Sequence, residues 1–267
     1  MRARRGFTLV ELLVVISIIA LLMAVLIPTL GRARKQAQAV ACKANLRQWG
    51  LMLTMYAQDN HGSLPTGWNG GIMWMVDLLR YYQGEADVCL CPTAKKFLHE
   101  IPGNTPSTFT AWGKYGYPGY FNGWTPPWGH KGQYGSYGIN AWVHNPLAKG
   151  VAGTYDISPG QMQFYWRKIT VNQTSEIPAF GDCMWDGTDP RATDAPPPVE
   201  GRQVEGSGMS SFCINRHMGN TQLTFLDGSV RRVGLKQLWR LRWHKDYSLD
   251  ASLPKWPDWM RNFKDYE

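Results

Sequence analysis

The sequence predicts an α+β protein: one long N-terminal apolar helix, and a globular head built on an antiparallel sheet packed against the helix's second half. Three observations carry this expectation. Residues 7–30 hold a single charge, Glu11, and apolar residues recur at helical spacing from Ala33 to Tyr56. Four β-branched or aromatic stretches lie in the C-terminal half, one of them interrupted by the turn dipeptide Asp227-Gly228. Roughly 200 residues follow the helix, enough for one domain with its own core.

The run from Leu12 to Leu30 gives 19 uncharged residues, enough to cross a bilayer as a helix. It is too long for the core of a secretory signal, which spans roughly 7 to 15 residues. Arg32, Arg34 and Lys35 also separate it from the small-residue pairs Ala37-Gln-Ala39 and Ala39-Val-Ala41. Glu11 is the telling residue, because a carboxylate among lipid tails costs on the order of 3 kcal/mol and a plain anchor has no use for it.

Arg4-Arg5-Gly6 followed by Phe7-Thr8-Leu9-Val10-Glu11 resembles the class III leader of type IV pilins and type II secretion pseudopilins. The resemblance implies a leader of residues 1–6, cut between Gly6 and Phe7 by a prepilin peptidase, with N-methylation of the new Phe7 amine. It also implies a pilin-like fold, a single-pass inner-membrane stage, and extraction into a periplasmic or cell-surface filament made with copies of itself or other pilin-like subunits. In such an array the Glu11 carboxylate of one subunit neutralises the buried Phe7 ammonium of a neighbour. Pro28, the 22nd residue counted from Phe7, falls where pilin helices commonly carry a proline. The rival expectation is an exported, membrane-anchored glycan- or surface-binding module, or a hydrolase, that does not polymerise.

The chain of 267 residues is formally +8, and +5 without the leader arginines Arg2, Arg4 and Arg5. Those three suit a cytoplasmic N-terminus. The remaining basic residues are dispersed except at Arg231-Arg232 and between Arg240 and Lys245, a pattern read as solvated surface, with no nucleic-acid partner expected. Export places Cys42, Cys89, Cys91, Cys183 and Cys213 where disulfides form, and an odd count leaves at least one thiol unpaired within the chain. Cys89-Leu-Cys91 lacks zinc-site spacing and no close His pair follows. The cysteines are read as structural, their pairing open, and no metal, cofactor or catalytic residue is predicted.

The helix, residues 7–60 with the stop Asn60-His61-Gly62, is expected to show two apolar faces. One is Ala33, Ala37, Val40, Ala41, Ala44, Leu51, Met52 and Met55; the other is Leu46, Trp49, Leu53 and Tyr56. One face suits the head and the other neighbouring subunits. Pro28 and Gly31 mark an expected kink or melting point. In the head, residues 61–267, a short helix is expected over Ile72 to Tyr82 and irregular aromatic loops over Phe109 to Trp142. Strands are expected over Phe164 to Val171, Ile177 to Cys183, Met209 to Ile214 and Thr221 to Val233, the last folded by a two-residue turn at Asp227-Gly228. A short amphipathic helix around Leu235, Leu238, Trp239 and Arg242 and a surface-packed tail from Pro254 complete the reading.

Arg216-His217, nine residues, then Asp227-Gly228-Ser229-Val230-Arg231 resembles the H-x9-DG element of a large group of prepilin-like proteins from planctomycetes and verrucomicrobia. Cys91-Pro92 and Ser136-Tyr137-Gly138-Ile139-Asn140 match short pieces of that group. A catalytic reading would pair His217 with Asp227 or Cys213; the expected role is structural, His217 tying a strand entry to the hairpin. Asp182, Asp186, Asp189 and Asp194 are read as a solvated turn, with calcium the alternative. The aromatic loops and the stretch Trp239 to Lys245 are read as packing before glycan or nucleic-acid contact.

Overall fold

A computed structural model of the chain describes residues 8–66, 74–82, 86–97, 100–101, 107–113, 134–146 and 159–265. Its first element is a 51-residue helix, α1 (Leu9–Asp59), about 75 Å long. Thr8 caps it: the Thr8 hydroxyl accepts from the Glu11 amide at 3.2 Å while the Glu11 carboxylate accepts from the Thr8 amide at 2.8 Å. This reciprocal capping box, Thr8-x-x-Glu11, satisfies two donors that a helix start leaves orphaned. At the other end Asn60 caps the helix, and His61 and Gly62 take positive φ to turn the chain away.

Contrary to the expected melting point, α1 runs unbroken through Pro28 and Gly31. Pro28 removes one helix donor, and next to it the Thr29 hydroxyl donates to the Val25 and Leu26 carbonyls. Every residue from Thr8 to Ala37 is exposed. Burial begins in earnest at Cys42 and continues through Leu46, Trp49, Leu53 and Ala57, spaced three or four apart along one stripe. That stripe contains most of the second apolar face read from sequence. Of the first face, Val40 (68% exposed), Leu51 (59%) and Met55 (42%) stay bare, while Met52 is covered.

The stripe lies on a five-stranded sheet in the order β6-β4-β5-β7-β8, comprising β4 (Tyr137–Asn140), β5 (Pro178–Asp182), β6 (Gly187–Thr188), β7 (Asn220–Phe225) and β8 (Val230–Gly234). Its pairs are antiparallel except β4 with β6. Helix and sheet approach closely: a Cβ on Gly50 would lie 2.7 Å from the Thr224 methyl, and the Thr224 hydroxyl donates to the Leu46 carbonyl at 2.8 Å. Trp74 lies against Phe180 of β5 at 5.0 Å between ring centroids, and Trp49 meets Phe180, Trp74 and Tyr82 at 4.9 to 6.0 Å. These last two belong to the short helices α2 (Trp74–Asp77) and α3 (Leu79–Tyr82), which replace the single helix expected there. Every residue of β5 is buried, so the sheet is covered on both faces.

A smaller sheet, β1 (Lys96–Phe97), β2 (Thr110–Gly113) and β3 (Tyr134–Gly135), flanks the first, after a one-turn helix α4 (Ala86–Cys89). Strands thus occupy both ends of the segment expected to be irregular, whose middle, residues 114–133, lies outside the described residues. Two expected strands are absent. In the Phe164 to Val171 stretch, Phe164 ends a 3-10 helix (Pro159–Phe164) and the rest is coil with one isolated bridge, Ser63 to Lys168. Met209 to Ile214 instead contains a buried helical turn, α5 (Met209–Phe212), held at its start by the Asp194 carboxylate accepting from the Met209 amide at 2.8 Å. In both stretches tertiary contacts outweigh β propensity.

The β7–β8 hairpin forms where expected with a longer turn. The Phe225 amide donates to the Ser229 carbonyl and the Gly228 amide to the Phe225 carbonyl, leaving a three-residue loop in which Gly228 alone has positive φ, 77°. After β8 a 3-10 helix covers Leu235–Arg240, stopping short of Arg242. The tail packs as expected, with Met260 fully buried.

Candidate functional site

Two regions carry chemistry. The first is the exposed half of α1, where Glu11 is the one acidic residue between Thr8 and Leu30 and both of its hydrogen-bond partners are groups of Thr8. Gly6 and Phe7 lie outside the described residues. Pro28 sits on the exposed face.

The second region is a buried polar cluster where α1 enters the head. Asp182, the last residue of β5, accepts from the Gln222 amide at 3.0 Å, pairs with His217 Nε2 at 3.2 Å and with Arg216 Nη1 at 3.3 Å, and takes the Cys42 thiol at 3.5 Å. Arg216 directs all five guanidinium donors into this neighbourhood. Besides Asp182 they reach the carbonyls of Thr110 in β2 and of Thr108, Ser136 and Cys183 just outside the strands. Cys91, in the loop after α4, sets its sulfur 3.6 Å from His217 Nε2 and 3.1 Å from the Thr93 hydroxyl. Its amide donates to the Ser136 hydroxyl at 2.6 Å.

Burial would push the Asp182 carboxyl up, but the His217 hydrogen bond and the His217 and Arg216 charges hold it at about 2. Burial would push His217 down, and Asp182 and Cys91 raise it to about 10 instead. Against a burial penalty, Cys91 is held below an ordinary thiol by Cys42, His217 and Arg216, while burial sends Cys42 well up. The Arg216 guanidinium and the His217 ring thus face the Asp182 carboxylate and the Cys91 sulfur within one buried site.

Sequence reasoning singled out His217 with Asp227 and Gly228. The structure puts the six residues of β7 between them, roughly 20 Å of strand; Asp227 is exposed, its carboxylate accepting from the Ser229 amide at 2.8 Å. Cys213 lies outside the cluster, buried and with its thiol raised by burial. The other short pieces do converge, since Cys91, Ser136 and His217 all belong to the cluster. That Cys42, Asp182 and Arg216 meet His217 was not read from sequence, because the four side chains Cys42, Cys91, Asp182 and His217 come from four separate elements and no local spacing joins them.

The acidic residues read as a solvated turn have separate fates. Asp182 and Asp186 are fully buried, Asp189 pairs with Arg191 at the surface, and Asp194 caps α5. Burial raises the Asp186 carboxyl well above the usual carboxylate range. In the basic stretch Trp239 and Trp243 are core residues, so their rings are not offered for stacking. Of the five described aromatics of the loop region, Trp112, Tyr134, Tyr137 and Trp142 are buried likewise, and Phe109 is exposed. All five cysteines are buried, and none is joined in a disulfide.

A capped apolar helix of membrane-spanning length on an α+β head is the architecture of a pilin-like chain. Residues 1–27 match the prokaryotic N-terminal methylation motif. Over 61 residues the chain is 51% identical to the type IV wide pilus major component PilA4 of Thermus thermophilus, a match covering 23% of this chain and 47% of that protein. The chain thus matches about half the length of that relative. No solved structure matches it.

Proposed function

We propose that this chain is a structural, non-enzymatic subunit of a type IV pilus-like or type II secretion pseudopilus filament. A prepilin peptidase removes residues 1–6, the Phe7 amine is methylated, and the helix resides in the inner membrane before the subunit joins a periplasmic or cell-surface filament. The carrying observation is the bare half of α1: 15 residues from Leu9 to Ile27 are large hydrophobics at least 45% exposed, with nothing of the described chain upon them. Lipid covers that surface before assembly, and the helices of neighbouring subunits cover it afterwards. Val40, Leu51 and Met55 extend the face alongside the head, where further subunit contact is expected. The short pieces resembling the H-x9-DG group fit a subunit whose head is braced at one buried point, with His217 and the Gly228 turn as structural residues.

The test is the mature N-terminal peptide by mass spectrometry, with negative-stain images of sheared surface material. A methylated Phe7 terminus and filaments containing this chain are expected. A chain that keeps residues 1–6 and stays as a membrane monomer would overturn the reading in favour of an anchored module.

A further inference from the structure

Four groups that have no sequence relationship aim their donor atoms at one buried point. Cys42 comes from α1, Cys91 from the loop after α4, Asp182 from the end of β5 and His217 from the segment before β7, and their donor atoms all lie within 4.8 Å of one another. Zinc bonds of about 2.3 Å to sulfur and about 2.0 Å to nitrogen or oxygen, set at tetrahedral angles, place sulfur about 3.5 Å from nitrogen or oxygen and nitrogen about 3.3 Å from oxygen. The structure has 3.6 Å from Cys91 Sγ to His217 Nε2, 3.5 and 3.7 Å from Cys42 Sγ to the two Asp182 oxygens, and 3.2 Å from His217 Nε2 to Asp182 Oδ2. With Asp182 Oδ2 as the ligand atom, three of the six edges of a zinc tetrahedron, Cys91–His217, Cys42–Asp182 and His217–Asp182, lie within about 0.2 Å of these values, and the other three are bounded by 4.8 Å. We infer that Cys42, Cys91, Asp182 and His217 form a structural zinc site that locks the assembly helix onto the head.

The surroundings fit a metal better than the alternative use of two cysteines, a disulfide. A disulfide needs neither a carboxylate nor an imidazole drawn to the same point. Two thiolates and a carboxylate around Zn²⁺ leave one negative charge, and Arg216, fully buried beside Asp182, cancels it. Outer donors are in place as well: the Thr93 hydroxyl meets the Cys91 sulfur, and the Gln222 backbone amide holds Asp182. Four protein donors close the coordination sphere, as in structural rather than catalytic zinc sites. His217 also lines two open grooves of about 400 Å³ that border α1, one at Lys35 and Gln38 and one at Gln36, Val40 and Lys43, so this ligand stands at the outer edge of the cluster. Cys42 is the first fully buried residue of α1, so the metal would clamp the helix at the point where it leaves the head.

The experiment uses the full chain, purified in detergent from zinc-supplemented cells without a histidine tag. Elemental analysis is expected to find one zinc per chain. Replacement by Co(II) is expected to give thiolate charge-transfer absorption and the intense visible bands of a tetrahedral site. Cys91→Ser and His217→Ala should each abolish stoichiometric metal, whereas Cys213→Ser, buried outside the cluster, should retain it. A zinc-free wild-type chain with Cys42 and Cys91 peptides linked by a disulfide overturns the site, as does undiminished zinc in both ligand variants. The zinc content and cobalt spectrum of the wild type decide the matter even where a variant fails to fold.

Discussion

At the residue scale, Glu11 has two tasks that one substitution separates. Its carboxylate closes the capping box with Thr8 in the single chain, and in the proposed filament it answers a neighbour's Phe7 amine. Gln at the same helix position also serves a capping box but carries no charge. Glu11→Gln is therefore expected to keep normal cleavage and membrane insertion while sharply lowering filament yield; wild-type yield of sheared filaments would show that charge has no assembly role. Arg216 is the residue whose loss should hurt most. Arg216→Met strands four buried carbonyls and the Asp182 carboxylate, a change worth about 3 to 5 kcal/mol when one partner of a buried pair is removed. Denaturant melts of the full chain in detergent should register a loss of that size, and an unchanged midpoint would refute the arrangement described for the guanidinium.

At the scale of elements, the β7–β8 hairpin rests on a single left-handed residue. Gly228 has φ 77° and a Cβ built on it meets nothing within 4 Å, so the penalty for a side chain there is conformational and not steric crowding. Gly228→Val should cost about 1 to 2 kcal/mol through left-handed backbone strain, whereas Gly228→Asn, which tolerates that region, should cost less than half as much. Equal losses in thermal melts would mean that the turn is limited by something other than φ. The sequence marked the Asp227-Gly228 turn correctly but not its length. The three-residue loop depends on the β7–β8 pairing of Thr224 with Val230, which no local dipeptide encodes.

For the whole molecule, acid stability follows from a buried imidazole remote from the cluster. Burial lowers His144 from its ordinary value to about 4, while in the unfolded chain it titrates near 6.5. The folded value is the lower one, so this contribution is fully present above about pH 6.5 and is lost as pH falls through about 4, by roughly 3 kcal/mol. Buried His244 acts in the same sense. Asp77 acts in the opposite sense, its carboxyl raised by burial to about 6. Comparing wild type with His144→Gln isolates the imidazole: the melting temperature of the variant should fall less between pH 7 and pH 4, and parallel curves would exclude His144 as the acid-sensitive group.

Sequence alone determined the parts whose signal is local. An uncharged run with one carboxylate at a set distance from Gly6, a 3.6-residue periodicity and a turn dipeptide are each read within a few residues, and they yielded α1, its stop at Asn60, the strand at Ile177 to Cys183 and the final hairpin. The same local reading also found that α1 has two apolar faces. Which of them meets the head was decided only by the tertiary structure, where Gly50 lets the helix approach Thr224 and so turns Leu46, Trp49 and Leu53 inward, leaving Leu51 bare. The Phe164 to Val171 and Met209 to Ile214 stretches went the same way, since β propensity is a weak preference that packing overrides. The buried cluster belongs wholly to the tertiary level. Cys42, Cys91, Asp182 and His217 become neighbours only when the helix, two loops and a strand end are brought together, and the low dielectric that couples their charges exists only once they are buried.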